Sequence, residues 1–202
     1  YLQRETVVKN GVFFETVIKN ITRGAQIKAS VLDEIVSDEP TNMQYLMLAN
    51  LQDGIISDEL PYLKGIDSKY EKYCIKNGSL VISKNASPVK MAIVSVQEGN
   101  KILANGNLYV IELDKDKINP YFLKAYLESE SGKAALSRVA VGATLLNLPV
   151  EGLKKVIIPL PDLESQKKIA DQYYAKLSEI KELKYKLEKA TEELEHIYTE
   201  EK

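Results

Sequence analysis

Apolar and polar positions follow two different periods along this chain, and the change falls near residue 161. Before it, short runs rich in β-branched and aromatic residues predict strands over Val12–Ile18, Tyr45–Leu48, Ser79–Ser83, Ala92–Val96 and Leu108–Leu113. Turn-forming clusters separate them: Gln52-Asp53-Gly54, Lys76-Asn77-Gly78, Ala86-Ser87-Pro88, Glu98-Gly99-Asn100 and Asn105-Gly106-Asn107. Gly, Asn, Asp and Pro supply the backbone angles and local bonds that tight turns need. Asn119-Pro120 marks a helix start, Asn as N-cap and Pro at the first helical position, with Leu123, Tyr126 and Leu127 on one face. That helix is expected to reach about Ser131-Gly132, and a second helical stretch covers Lys133–Val139. The fold class is therefore α+β, with a β-rich domain over residues 1–161 that carries long exposed loops.

From Asp162 the period becomes helical. Counted from Ile169, apolar or small residues fall at Tyr173, Ile180, Leu183, Leu187, Ala190, Leu194 and Ile197, with Lys176 the one polar member of the series and Leu177 beside it. Intervals of three and four make this a heptad seam of about four repeats. Neither Gly nor Pro interrupts Leu163–Lys202, so residues 162–202 are expected to form one helix of roughly 50 Å or more at ~1.5 Å per residue. A helix of that length cannot bury its seam on a domain that ends at its base. It needs a partner helix, unless it serves as a solvated spacer.

Composition changes this picture little. The chain has 202 residues, 45% apolar and 28% charged, ordinary for a soluble protein able to bury a sizeable core. The formal net charge of −2 gives no basic signature of nucleic-acid binding. The charge is uneven, however: residues 1–160 hold 19 Lys+Arg against 18 Asp+Glu, and residues 161–202 hold 8 against 11. An acidic tail thus masks a nearly neutral head. The one cysteine, Cys74, excludes an internal disulfide and leaves a zinc cluster without partners. The apolar runs fall short of the ~18 residues a membrane span needs, and the cytosol is the expected compartment. The start at Tyr1 in place of Met points to a trimmed tag or a piece of a longer chain.

Candidate chemistry is sparse. Asn119-Pro120-Tyr121-Phe122 is similar to the N-P-P-Y/F tetrapeptide of amino-methyltransferases, but the second Pro is missing and no Gly-rich cofactor loop precedes it. Pro161-Asp162-Leu163-Glu164 echoes a nuclease metal site without its lysine in place. His196 is the one histidine, and a lone imidazole without a carboxylate triad is a weak basis for catalysis. No catalytic residue, metal or cofactor is therefore expected. Residues suited to DNA lie in the loops: Arg23 and Lys28 in one, Lys84, Asn85, Ser87 and Lys90 in a second, Asn105 and Asn107 in a third. Thr144, in the polar turn Gly142-Ala143-Thr144, joins them. Such side chains pair with base edges or anchor phosphates, and equally serve as solubilising turns.

One family combines these features. Ile158–Leu177, IPLPDLESQKKIADQYYAKL, resembles the entry to the conserved helix of specificity subunits of type I restriction-modification systems: an apolar strand, a P-L-P turn, then Gln166, Ile169 and Ala170 in the first helical turns. Asn77–Val94, NGSLVISKNASPVKMAIV, resembles that family's G-D-I-L-hydrophobic-S-R/K segment followed by A-I-V. ITRGAQIKAS, ANGNLYVIELDKDKINPYFLKAYLES and VGATLLNLPVEGLKKVIIPLP continue the match in order over nearly the whole chain. Ser79 departs from the usual Asp, and Ser87-Pro88-Val89 stands where Gly is common.

The resemblance implies a non-catalytic target-recognition domain followed by a conserved helix. Its implied partners are double-stranded DNA, an adenine-N6 methyltransferase subunit and a restriction subunit. Full subunits carry two such units in tandem with antiparallel helices, so this single unit is expected to be a half-subunit, a cloned half or the tail of a methyltransferase–specificity fusion. Two copies, or this half and a second recognition half, would pair through Tyr173, Leu177, Ile180, Leu183, Leu187, Ala190, Leu194 and Ile197. The alternative is a coiled-coil adaptor whose head binds protein or peptide.

Overall fold

The computed structural model describes residues 11–142 and 147–197. Its strands are β1 (Gly11–Phe13), β2 (Ile18–Arg23), β3 (Val36–Ser37), β4 (Met43–Leu46), β5 (Leu51–Gln52), β6 (Ile55–Ile56), β7 (Tyr62–Leu63), β8 (Leu80–Ser83), β9 (Met91–Ile93), β10 (Lys101–Ala104), β11 (Leu108–Leu113) and β12 (Ile157–Pro159). The helices are α1 (Ala29–Ile35), α2 (Pro120–Glu128), α3 (Glu130–Val139), α4 (Val150–Lys154) and α5 (Leu163–His196). This mixed α+β architecture ends in the long helix that the heptad pattern predicts.

The main sheet has the order β2-β11-β8-β9 and is antiparallel throughout. Its two central strands are buried on both faces, and strand alternation sends successive side chains into two different cores. Leu80, Ile82, Tyr109 and Ile111 pack with Phe122, Leu123 and Leu127 of α2 and with Ala170 of α5. Val81, Leu108 and Val110 face the other way, toward Leu46, Leu51, Ile75, Ile102 and Ala104. These strands read as continuous apolar runs because neither face meets water. A second, smaller sheet, β10-β4-β7-β3, pairs β10 parallel to β4 and packs Met43, Tyr45, Leu63 and Leu103 around Ala25. We call the part built on residues 36–63 the small lobe.

The expected strand over Val12–Ile18 is divided. β1 pairs with β12 at the far end of the head, and a 3₁₀ turn over Phe14–Val17 redirects the chain into β2. Phe14 and Val17 are both fully buried. A strand would send residues three apart to opposite faces, whereas a 3₁₀ turn stacks them on one. The helix expected to run from Asn119 to Gly132 also breaks, at Ser129, whose Oγ accepts from the Gly132 amide at 3.2 Å to cap α3. A Cβ on Gly132 would overlap the Tyr126 carbonyl, so glycine allows α3 to fold back tightly on α2.

α5 begins as its sequence indicates. Asp162 is the N-cap, its Oδ1 accepting from the Ser165 amide at 2.9 Å, and that bond holds its carboxyl below the usual carboxylate range. Gln166 is buried. Its Oε1 accepts from the Asn119 amide at 2.8 Å, while Nε2 donates to the carbonyls of Lys117 at 3.0 Å and Pro161 at 2.8 Å. One side chain thereby joins the start of α5 to the start of α2. At its near end the seam lies against the head. Tyr173 faces α2 and bonds Lys124 and Glu128, and Leu177 is half-buried along the same face. Beyond them Ile180, Leu183, Leu187, Leu194 and Ile197 are exposed, Leu187 at 67% and Leu194 at 69%.

Candidate nucleic-acid interface

The antiparallel order of the main sheet decides where the loops go. β2 and β8 finish at the same end at which β9 and β11 begin. The three loops singled out by sequence therefore share one edge of the head. Backbone bonds tie them together: Gly24 N–H to Leu108 O at 2.9 Å, Ala25 N–H to Ala104 O at 2.8 Å, and Lys84 N–H to Asn107 O at 2.8 Å. A fourth segment joins them, with Leu148 N–H donating to Lys84 O at 2.9 Å and Asn147 bridging to Asn85. Thr144 lies outside the described residues.

Two glycines set the spacing of this edge. A Cβ on Gly24 would overlap the Asn105 carbonyl, and one on Gly106 would come within 2.8 Å of Gln26 Cγ. The Arg23–Lys28 and Asn105–Asn107 loops thus lie backbone to backbone. Arg23 staples them: its Nε–H donates to Gly106 O at 2.7 Å. With the Gln26 amide turned so that its carbonyl faces the guanidinium, that oxygen accepts from both terminal nitrogens of Arg23, Nη1 at 2.6 Å. Asn105 is engaged in the same way, Nδ2 donating to the Tyr45 hydroxyl at 2.6 Å and Oδ1 accepting from the Asn107 amide at 2.9 Å. Burial raises the Tyr45 pKa, with the Asn105 bond opposing, so the phenol stays neutral and can accept.

The candidates therefore divide by role. Arg23 and Asn105 hold the edge together with their side chains. Lys28, Ser87 and Asn107 are exposed, and Lys84, Asn85 and Lys90 are half-buried. Ser83, fully buried, fixes the base of the Lys84–Lys90 loop: its amide donates to Lys90 O at 2.8 Å and its Oγ accepts from Lys90 N–H at 2.9 Å. Gln26 is the residue that sequence reasoning missed. It sits inside ITRGAQIKAS, and its position two residues past Gly24, beside the basic Arg23, is the signal that was available.

A cleft of about 520 Å³ lies between the small lobe and α5, lined among others by Gln44, Asp58, Tyr62, Tyr121, Tyr174 and Leu177. Among the described residues no group of His, Cys, Asp and Glu is arranged to hold a metal ion. Among them, too, no helix is long and apolar enough to cross a membrane.

This geometry has counterparts. The family described as the type I restriction modification DNA specificity domain matches residues 33–193. No curated protein sequence matches the chain significantly. Among solved structures, one described as the structural basis of complex assembly and conformational transition of the type I R-M system aligns with TM-score 0.61 and 18% identity, over 93% of this chain and 43% of that one. The HsdS subunit from Thermoanaerobacter tengcongensis aligns with TM-score 0.55 and 19% identity, over 86% of this chain and 39% of that one. The type I restriction-modification S subunit from M. genitalium aligns with TM-score 0.53 and 14% identity, over 85% and 40%. At these identities the likeness is one of fold, and the chain spans less than half the length of each structure. The extent of the family match, from within α1 to the last turns of α5, makes this chain a member of the type I restriction-modification DNA specificity family.

Proposed function

We propose that this chain reads one half of a bipartite DNA site through the loop edge of its main sheet. It does no chemistry itself and directs an adenine-N6 methyltransferase subunit, with which a restriction subunit associates, in the cytosol. The observation that carries this reading is the gathering of four loops at one edge, two of them fixed to each other by Gly24, Gly106 and Arg23. A preorganised edge loses little freedom when it meets a base pair. On it Lys28, Lys84, Ser87, Lys90 and Asn107 supply donors and acceptors to phosphates and base edges. Each well-placed bidentate base contact discriminates by ~1–3 kcal/mol.

The second half-site is read by a partner unit, a second copy of this chain or a different recognition half, paired through the exposed stripe from Ile180 to Ile197. Two identical units obey two-fold symmetry, so a homodimer demands a palindromic split site. Tyr173 and Leu177 belong to the base of this pairing surface, where the helix is still held by its own head.

The test is a salt titration of duplex binding with a randomised pool. The chain is expected to shift duplex weakly at low salt and to lose it as salt rises, since phosphate contacts release counterions. Lys90→Glu should weaken the shift strongly. A salt-independent interaction, or no shift together with capture of a protein partner, would replace this reading with the adaptor one.

A further inference from the structure

Lys124 is fully buried in α2, a rare place for a lysine. Its Nζ donates to Glu128 Oε1 at 2.9 Å and to the Tyr173 hydroxyl at 2.6 Å, and the Tyr173 hydroxyl in turn donates to Glu128 Oε2. The three groups form a closed ring of charge-assisted bonds between α2 and α5. The β5–β6 turn lies over it: Gly54 has a positive φ of 75°, and a Cβ there would stand 2.6 Å from Lys124 Nζ. The same small-lobe segment is strapped to α5 again further out, by an ion pair between Asp53 and Lys184 and another between Asp58 and Lys181 at 2.6 Å.

Burying this charge is costly. Burial pushes the Lys124 pKa down against the pull of Glu128, and burial and then Glu128 push the Tyr173 pKa well above its ordinary value. Apolar side chains of similar volume are often as stable as a buried ion pair or more so, so stability alone does not account for a lysine here. Directional bonds do something an oily contact cannot: they stop one helix from sliding or rolling on the other. The lever arm makes that matter. From Tyr173 to Ile197 the helix runs roughly 36 Å at ~1.5 Å per residue. A tilt of about 5° at the ring therefore moves its far end by ~3 Å, close to the ~3.4 Å between successive base pairs.

We propose that Lys124, Glu128 and Tyr173 are positioning residues that lock the head to α5 and so set the distance between half-sites that a paired assembly accepts. This rests on the DNA-reading and helix-pairing function proposed above. The ring acts on spacing, and the loop edge acts on base identity.

The experiment uses the double variant Lys124→Met/Tyr173→Phe, with Tyr173→Phe alone as the milder change. In a Cys74→Ser background, spin labels at Glu39→Cys on the small lobe and Glu188→Cys on the helix report the head–helix distance. The unaltered ring should give one narrow distance distribution, and the folded variants a clearly broader one. Co-expressed with its methyltransferase, the variant should methylate the same half-site sequences but accept separations one base pair longer or shorter, at least tenfold above the parent protein. Unchanged label distances in a folded variant would overturn the proposal, and so would broadened distances with unchanged spacing. If the parent protein supports no methylation, the functional reading has failed instead, and the label distances still decide whether the ring positions the head.

Discussion

Gln166 carries more of the fold than its place in the sequence indicates. Its amide serves three backbone groups from two other segments, and replacing it by alanine leaves a buried amide and two carbonyls to find new partners. Each such orphan costs ~1–3 kcal/mol. Gln166→Ala should therefore destabilise the chain by roughly 3 kcal/mol, read as a lower urea midpoint at unchanged slope. A loss below about 1 kcal/mol would mean that water replaces the side chain. The sequence marked Gln166 as part of a family pattern, but its three partners lie up to 49 residues away. Tyr173 shows the limit of pattern reading more sharply. Its heptad spacing fits a seam, yet its hydroxyl belongs to Lys124 and Glu128 of the head, because a period reports which face is apolar and not which neighbour covers it.

At the scale of elements, local signals succeeded where they stood alone. Asn119 accepts from the amides of Tyr121 and Phe122 to start α2, as its cap role predicts, and α5 begins behind Asp162, where the apolar period changes. β8 and β11 were legible as strands because, Ser83 and Glu112 apart, they are runs of apolar residues rich in β-branched and aromatic side chains. β10 and α1 gave no such signal: Lys101–Ala104 is short and pairs with a strand nearly sixty residues earlier, and α1 has no fully buried residue. α5 itself has two parts. From Leu163 to Lys184 it is held to the head by Gln166, Ala170, the Lys124 ring and two ion pairs, whereas every residue from Tyr185 to Ile197 is exposed. Leu183 and Leu187, 57% and 67% exposed, form no part of the head's core. Leu183→Asp/Leu187→Asp should thus leave the head folded with an unchanged thermal midpoint while abolishing dimers in light scattering. A dimer that survives the pair of charges would place the pairing surface elsewhere.

For the whole molecule, the proposed division of labour is between an edge that reads and a helix that spaces. The near-neutral head explains why bulk charge concealed this function. Few cations face a candidate DNA surface, so the chain alone should bind weakly, with partner subunits supplying most of the electrostatic grip. The candidate edge was legible in sequence as three polar loops. Their convergence was not, since it follows from the antiparallel order β2-β11-β8-β9 and from the absence of Cβ atoms at Gly24 and Gly106. The most direct test of recognition is methylation mapping. This chain is co-expressed with the adenine-N6 methyltransferase subunit proposed as its partner in a methylation-free host, and the modified bases are read across the genome. Paired copies of this chain predict a split palindrome of methylated adenines at one fixed spacing, and an asymmetric motif would keep the reading role but require a different second head. No methylation, with both proteins soluble and co-purifying, would contradict the account.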